Sequence, residues 1–207
     1  MPALTRPDLS RFTTALARRL PCPVRLTLTG GGEALLLGAK RQTGDIDFEV
    51  TVSARARRFW ADIEAAIAAA SAEAGIVVQY STDIDRWSPV TIPARQRRRR
   101  LHRRLGRLSV QMLDPACWAV YKLSRYLDSD VEDLRVVLRR QRVSSAALAR
   151  LCGVCLRSSP RSTQLFLFRQ QVEHFFRTHG PTVWGRGFDA GRAITSFHRA
   201  AKIGLRK

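Results

Sequence analysis

The chain of 207 residues, 45% of them hydrophobic, is long enough to bury one core together with a helical extension, so we expect one or two domains. Its 36 Lys and Arg outnumber 17 Asp and Glu, and the net charge of +19 favours polyanionic partners. No apolar run reaches the thickness of a bilayer and the N-terminal segment lacks an apolar signal core, so we predict no membrane segment and a cytoplasmic location.

The first predicted elements are an amphipathic helix and a strand. Residues 8–20 repeat apolar side chains every three to four positions, which is typical of a helix with one buried face. Residues 24–29 then alternate apolar and polar side chains, which predicts a half-buried strand.

A glycine pair, Gly31-Gly32, follows this strand and precedes helix-forming residues from Ala34 to Leu37, after which Gly38 is expected to end a short helix. Glycines at a strand-to-helix corner allow a tight turn and a close approach by a ligand. The N–H groups at the start of the helix then favour a phosphate. Taken alone, such a pair is weak evidence, because most glycine pairs are ordinary turns.

Two acids two residues apart, Asp45 and Asp47, lie in the next predicted strand. Residues at this spacing project from the same face of a strand, so Ile46 and Phe48 are expected to face the core. Two neighbouring carboxylates repel each other unless a cation lies between them, and Mg²⁺ or Mn²⁺ held together with nucleotide phosphates is the usual solution. The alternative is the solvated face of an edge strand.

The middle of the chain is predicted to hold a long helix over 53–74, a strand over 76–80 and a strand over 108–112. Residues 83–107 are predicted to form an arginine-rich loop. The chain is then expected to be helical over 115–127, 130–140, 144–157 and 162–178. Four scattered cysteines are expected in the core, since their spacing matches neither a disulfide framework nor a zinc site: Cys22, Cys117, Cys152 and Cys155.

This order of elements predicts an α+β fold, with a small mixed sheet flanked by helices and a helical C-terminal part. We expect a core domain over 1–113 and a helical domain over 114–180. The basic segment 181–207 is expected to be a tail or a short helix.

The motifs resemble those of minimal nucleotidyltransferases of the polymerase-beta-like superfamily, and most of all the AbiEii and MenT toxins of bacterial toxin–antitoxin systems. The likeness covers roughly residues 24–140, about half of the chain. It is carried by a first motif and a later one: Gly31-Gly32, Ala34, Gly38, Arg41, Thr43 and Asp45-Ile46-Asp47, then Leu113-Asp114-Pro115, Lys122-Leu123, Arg125 and Asp133-Leu134.

The resemblance implies roles for these residues. It implies that Gly31, Gly32, Arg41 and Thr43 bind the triphosphate of a nucleoside triphosphate. Asp45 and Asp47 would hold Mg²⁺ or Mn²⁺ as catalytic ligands, and Lys122 and Asp133 would complete the catalytic site, with Lys122 on a phosphate. From the residues alone, an equally good interpretation is that the aliphatic part of the Lys122 side chain packs on its apolar neighbours while its ammonium group reaches solvent.

One departure from the family concerns a third acid. Many members carry a carboxylate on a later strand as general base, whereas the equivalent strand here has Gln111 and no acid. Asp114, just before Pro115, is better explained as a helix cap. Asp133 fits the toxin-like pattern better than Asp114 does.

The implied activity is transfer of a nucleoside monophosphate to an acceptor hydroxyl. The resemblance implies a tRNA 3′ end as the acceptor and a cognate antitoxin protein as a further partner. A rival interpretation is an antitoxin enzyme that transfers AMP to a protein. A third is a nucleic-acid-binding module that has lost catalysis. The basic charge supports RNA as the partner, and we expect it to be bound by six arginines between the third and last strands: Arg97, Arg98, Arg99, Arg100, Arg103 and Arg104.

Overall fold

The structure is a computed structural model that describes residues 4–39 and 43–203. Its fold is α+β, as predicted, with a five-stranded mixed sheet followed by a helical C-terminal part. The strands are β1 (Val24–Thr29), β2 (Asp45–Thr51), β3 (Val77–Ser81), β4 (Arg99–Leu105) and β5 (Leu108–Leu113). The helices are α1 (Arg6–Arg19), α2 (Gly30–Leu37), α3 (Trp60–Ala74), α4 (Pro115–Arg125), α5 (Asp128–Arg140), α6 (Ser145–Ser158), α7 (Thr163–Trp184) and α8 (Ala190–Ala201).

The contacts divide the described chain into two compact units. The first holds residues 4–36, 43–84 and 99–113, and the second holds residues 37–39, 85–98 and 114–203. The break after residue 113 lies where the sequence predicts the end of the core domain. Residues 37–39 and 85–98, however, belong with the second unit.

The sheet of the first unit has the strand order β3-β2-β1-β5-β4. β1 is antiparallel to β2 and parallel to β5, while β2 is parallel to β3 and β4 is antiparallel to β5. The central strand β1 therefore lies beside the strand that carries Asp45 and Asp47. Because the two strands are antiparallel, the start of β2 lies next to the end of β1 and the start of α2.

The core of the first unit lies on one face of this sheet, against α1 and α3. Ile46 and Phe48 of β2 are fully buried there, and the ring centroid of Phe12 lies 5.8 Å from that of Phe48. The prediction that the apolar side chains of β2 face the core is thus confirmed. The polar side chains of β2 consequently project from the opposite face.

The second unit packs α4 against α5, α6 and α7, and α8 against α6 and α7. Its core contains Trp118, Phe168 and Phe176, all fully buried. Gly153 of α6 is essential to the α6–α8 contact, since a Cβ there would lie 2.5 Å from the carbonyl oxygen of Phe197.

The prediction of a loop over 83–107 is wrong for part of this range, because Arg99–Leu105 forms the edge strand β4. Most side chains of β4 are exposed and charged, so the strand lacks the alternation that identifies a half-buried strand in a sequence. Its hydrogen bonds to β5, which follows after a tight turn at Gly106, form the strand instead.

Two helix predictions also change. The helix predicted over 53–74 begins as a 3₁₀ turn, Ala54–Phe59, before α3 starts. The helix predicted to end at residue 178 continues through Pro181 to Trp184. Trp184 holds this last turn in place because its indole stacks on Phe176 and its Nε1 donates to the carbonyl of Val143 at 2.8 Å.

The basic C-terminal segment contains a short helix, α8, over residues 190–201, which is one of the two alternatives expected for it. The four cysteines are buried, as predicted. Among the described residues no helix is both long and apolar enough to cross a bilayer.

Candidate functional site

At the corner between β1 and α2, the backbone of the glycines lies directly against side chains of the segment that enters β2. Gly30 adopts a positive φ of 60°, and a Cβ there would overlap the carboxylate of Asp47. A Cβ on Gly31 would lie 2.5 Å from Oγ1 of Thr43. At Gly32 the nearest side-chain atom, on Ile46, is 3.6 Å away, which is an ordinary contact. The close approach therefore depends on Gly30 and Gly31, so Gly30 is a site residue that the glycine-pair interpretation missed.

The carboxylate of Asp45 is held at both oxygens. Its Oδ1 accepts a hydrogen bond from Oγ1 of Thr43 at 3.0 Å, and its Oδ2 accepts one from Nε2 of Gln79 at 3.0 Å. Asp45 is half-buried, so it keeps access to solvent. Thr43, named as a nucleotide-binding residue by resemblance, thus also positions one of the two acids. Gln79 was not anticipated, because its contact with Asp45 depends on the pairing of β2 with β3.

Asp47 lies on the same face of β2, opposite Thr29 of β1. It is half-buried, and its carboxylate sits against Gly30 at the start of α2. Both acids are therefore close to the glycine corner, as the sequence predicted. Arg41, the remaining residue of the first motif, lies outside the described residues.

The chemistry of these groups fits a divalent cation. Mg²⁺ prefers oxygen ligands, and in nucleotide sites it commonly takes one or two carboxylates, with phosphate and water oxygens supplying the rest. Asp45 and Asp47 provide that carboxylate pair beside the start of α2. No cluster of three or more His, Cys, Asp or Glu side chains suited to a metal occurs in residues 4–39 and 43–203.

A third acid, Glu49, lies further along the polar face of β2. It is 5% exposed, and Oε2 accepts a hydrogen bond from Nη2 of Arg99 at 2.7 Å. Arg99 belongs to β4, so its side chain spans the two strands between β4 and β2. Those strands place Thr27 and Gln111 in this row, paired in register with each other. Gln111 therefore has no acid opposite it on β1. The acid of this row, Glu49, is already paired with Arg99.

Lys122 lies in the second unit and is almost fully buried. Its Nζ donates to Oδ1 of Asp130 at 2.7 Å and to Oδ2 of Asp133 at 2.9 Å. The two residues that the resemblance adds to the site, Lys122 and Asp133, are thus in direct contact with each other. Asp130 completes this buried network and was missed, since acids at a helix start are favourable without any partner.

Asp130 also accepts two hydrogen bonds from Arg125. Burial alone would raise the pKa of Asp130, but the hydrogen bonds and charges of Arg125 and Lys122 outweigh it, so the pKa lies below its ordinary value. Asp114 caps α4 by accepting from the backbone N–H of Ala116 at 3.1 Å, as predicted.

The six arginines predicted to bind nucleic acid fall into two groups. Arg97 forms an ion pair with Asp85, and Arg99 forms one with Glu49. Both guanidinium groups therefore have structural partners within their own units. The other four are exposed: Arg98, Arg100, Arg103 and Arg104.

No protein-family model matches the chain, and neither a curated protein nor a solved structure matches it. The likeness to nucleotidyltransferases rests on the two motifs quoted above.

Proposed function

We propose that this chain is a metal-dependent nucleotidyltransferase that transfers a nucleoside monophosphate from a nucleoside triphosphate to an acceptor hydroxyl. The main support is the contact of Gly30 and Gly31 with Asp47 and Thr43, which brings the start of α2 directly against one of the two acids and against the residue that holds the other. In addition, Thr43 links the glycine corner to the acid pair, because its hydroxyl donates a hydrogen bond to Asp45. These contacts join a phosphate-binding corner to a pair of cation ligands.

In this proposal the triphosphate lies on the backbone at the start of α2, where the positive end of the helix dipole favours negative charge. Asp45 and Asp47 hold the cation, and Thr43 and Gln79 keep Asp45 oriented. A bound Mg²⁺ supplies charge neutralisation on the phosphate oxygens and makes the α-phosphorus more electrophilic.

The acceptor oxygen attacks the α-phosphorus, the bond from this phosphorus to the bridging oxygen breaks, and pyrophosphate leaves. The hydroxyl proton passes to water as the new bond forms. Asp133, which the resemblance gives as completing the catalytic site, stays a prediction from the resemblance. Lys122 as a phosphate ligand likewise stays a prediction from the resemblance. Positioning and charge neutralisation supply most of the rate acceleration in such transfers.

The acceptor we propose is RNA, and a tRNA 3′ end in particular, with the chain acting as the toxin of a toxin–antitoxin pair. The net charge of +19 supports a polyanionic acceptor. The tRNA end and the toxin role come from the resemblance.

The test is transfer of label from α-labelled nucleoside triphosphates to total RNA and to a protein lysate. We expect label on RNA, and Asp45→Asn and Asp47→Asn should each reduce it at least about 100-fold, since each removes a cation ligand. Asp62→Asn, which removes an exposed acid of α3, is the matched control and should transfer normally. Undiminished transfer by both site variants would refute the proposal. Label on protein alone would favour the AMP-transferring rival, and no label at all would favour the non-catalytic one.

A further inference from the structure

The second unit contains an open cleft of about 690 Å³ between α6, α8 and the C-terminal end of α7. Its charged side chains are Arg150, Arg192, Arg199 and Asp189. All three arginines are exposed, and none forms an ion pair or side-chain hydrogen bond with any residue in the described part of the chain. Asp189 is occupied as the cap of α8, where it accepts from the backbone N–H of Arg192 at 2.8 Å.

Two helix starts add to this positive field. Ser145 and Ala146 at the start of α6 line the same cleft as Asp189 at the start of α8. Further along, Gly153 packs against Phe197 near the other end of α8, so the two helices run in the same direction. Their positive dipole ends therefore face the cleft together with three uncompensated guanidinium groups.

The wall of the cleft is aromatic. Trp184 and Phe188 are half-buried, with ring centroids 4.9 Å apart, and both line the cleft. Guanidinium groups beside partly exposed rings are the combination used by proteins that bind single-stranded nucleic acid, where phosphates meet the cations and bases stack on the rings. An acidic protein partner would be bound by the arginines alone and would have no need of the aromatic rings.

A second cleft of about 420 Å³ lies on the other side of Arg150 and has Arg98 and Asp114 on its wall, with Asp114 held as the cap of α4. Arg150 is common to both clefts, so the two together form a path longer than a single phosphate. Arg98 is one of the six arginines that the sequence singled out. The other members of this path are far from it in sequence, which is why no local charge run revealed them.

We propose that these two clefts, with Arg150 at their junction, bind the phosphodiester backbone of single-stranded RNA, with a base against Trp184 and Phe188. That this RNA is the acceptor of nucleotide transfer rests on the proposed function above. The binding itself does not.

The experiment measures binding of a fluorescent single-stranded RNA of about 12 nucleotides, within the range of known groove lengths, between about 50 and 200 mM NaCl. The protein is the full chain carrying Asp45→Asn and Asp47→Asn, so that no turnover occurs. In this background we compare Arg150→Ala/Arg192→Ala/Arg199→Ala with a control of equal charge loss, Arg135→Ala/Arg139→Ala/Arg161→Ala. The control arginines are equally exposed but line neither cleft.

We expect the cleft variant to bind RNA about tenfold or more weakly and to lower the slope of log Kd against log salt by about 2, because each phosphate contact on a single strand contributes about 0.7. The control should change affinity less than about threefold, and both should melt at the parental temperature. Equal losses in the two variants would overturn the inference. Binding of polyglutamate as tight as RNA of equal charge, with the same dependence on the clefts, would also overturn it.

The two proposals fail in different ways. If the cleft variant loses binding while wild-type protein labels no RNA, the RNA-binding clefts stand and the nucleotidyltransferase falls. If wild-type protein labels RNA and the cleft variant binds and labels it normally, the clefts fall and the enzyme stands.

Discussion

The packing of the glycine corner depends on the absence of side chains at Gly30 and Gly31. Thr43 and Asp47 occupy the space where their Cβ atoms would lie, so the backbone can lie directly against both groups. Gly32 has no such neighbour, although it belongs to the same glycine run. The three positions therefore make different demands, and only the structure distinguishes them.

This difference predicts opposite results for neighbouring substitutions. Gly31→Ala should displace Thr43, disturb its hydrogen bond to Asp45 and weaken triphosphate binding about tenfold or more, since a bond to a charged group contributes about 1.5–3 kcal/mol. Gly32→Ala should bind normally and be as stable or slightly more stable, because Ala is the better helix former. Calorimetric titration of both variants with a nucleoside triphosphate tests this. Equal effects would show that the corner does not depend on Gly31.

The pair Asp45 and Asp47 was predictable because a period of two assigns both acids to one face without any tertiary information. The contact of Gln79 with Asp45 was not, since it depends on the register between two strands far apart in sequence. Nor was the pairing of Arg99 with Glu49, which requires that the segment starting at Arg99 form the edge strand β4. Local sequence patterns thus predicted the pair of acids on one face of the strand. The side chains that bind the acids of this strand could be identified only from the pairing of strands.

The helices α4 and α5 are joined by a buried ion network rather than by apolar packing alone. Lys122 contributes one charge, and Asp130 and Asp133 contribute two, with Arg125 as the fourth member. Buried charges are tolerated only while their partners remain, because desolvation is costly. The network therefore fixes how these two helices pack.

Removing the lysine should destabilise the chain. Lys122→Met leaves Asp130 and Asp133 buried without their shared cation, and we expect the free energy of unfolding to fall by about 3–5 kcal/mol. Arg135→Met, on the exposed face of α5, should cost less than about 0.5 kcal/mol. Chemical denaturation followed by circular dichroism measures both. Equal stabilities would mean that the network contributes little.

Acid should weaken the same network. The folded-state pKa of Asp130 lies below its ordinary value of 3.8, so its stabilising contribution is present above that value and is lost as the pH falls towards the folded pKa. Asp130→Asn should therefore reduce the slope of unfolding free energy against pH below about pH 5, by at most about 1.4 kcal/mol per pH unit. Asp128→Asn removes an exposed acid of the same helix and should leave the slope nearly unchanged. An unaltered slope in Asp130→Asn would contradict the assignment.

Each of the two units has its own core, and both carry the excess positive charge of the chain. Helical periodicity predicted the helices of the second unit well, apart from their ends. For the C-terminal segment 181–207 the sequence left a tail and a short helix as alternatives, because glycines and basic residues are spread among its apolar positions. Its helix α8 forms because Ala193, Ile194 and Phe197 are buried in the second unit.

A net charge of +19 should make stability depend on salt. Like charges repel each other in the compact state, and salt screens them with a Debye length of about 10 Å at 0.1 M. Raising NaCl from about 50 to 300 mM should therefore increase the melting temperature by a few degrees. A lower melting temperature at higher salt would mean that internal ion pairs outweigh the net repulsion.

Binding of a nucleoside triphosphate as a function of divalent cation is the most direct measurement of the site at Gly31, Asp45 and Asp47. With a non-hydrolysable analogue in calorimetry, the wild-type chain should bind in Mg²⁺ or Mn²⁺ and bind at least about tenfold more weakly in chelator. Asp45→Asn/Asp47→Asn should lose the cation dependence, while Asp62→Asn should retain it. Binding that is the same with and without the cation, or unchanged in the double variant, would contradict a cation-bridged triphosphate at this corner.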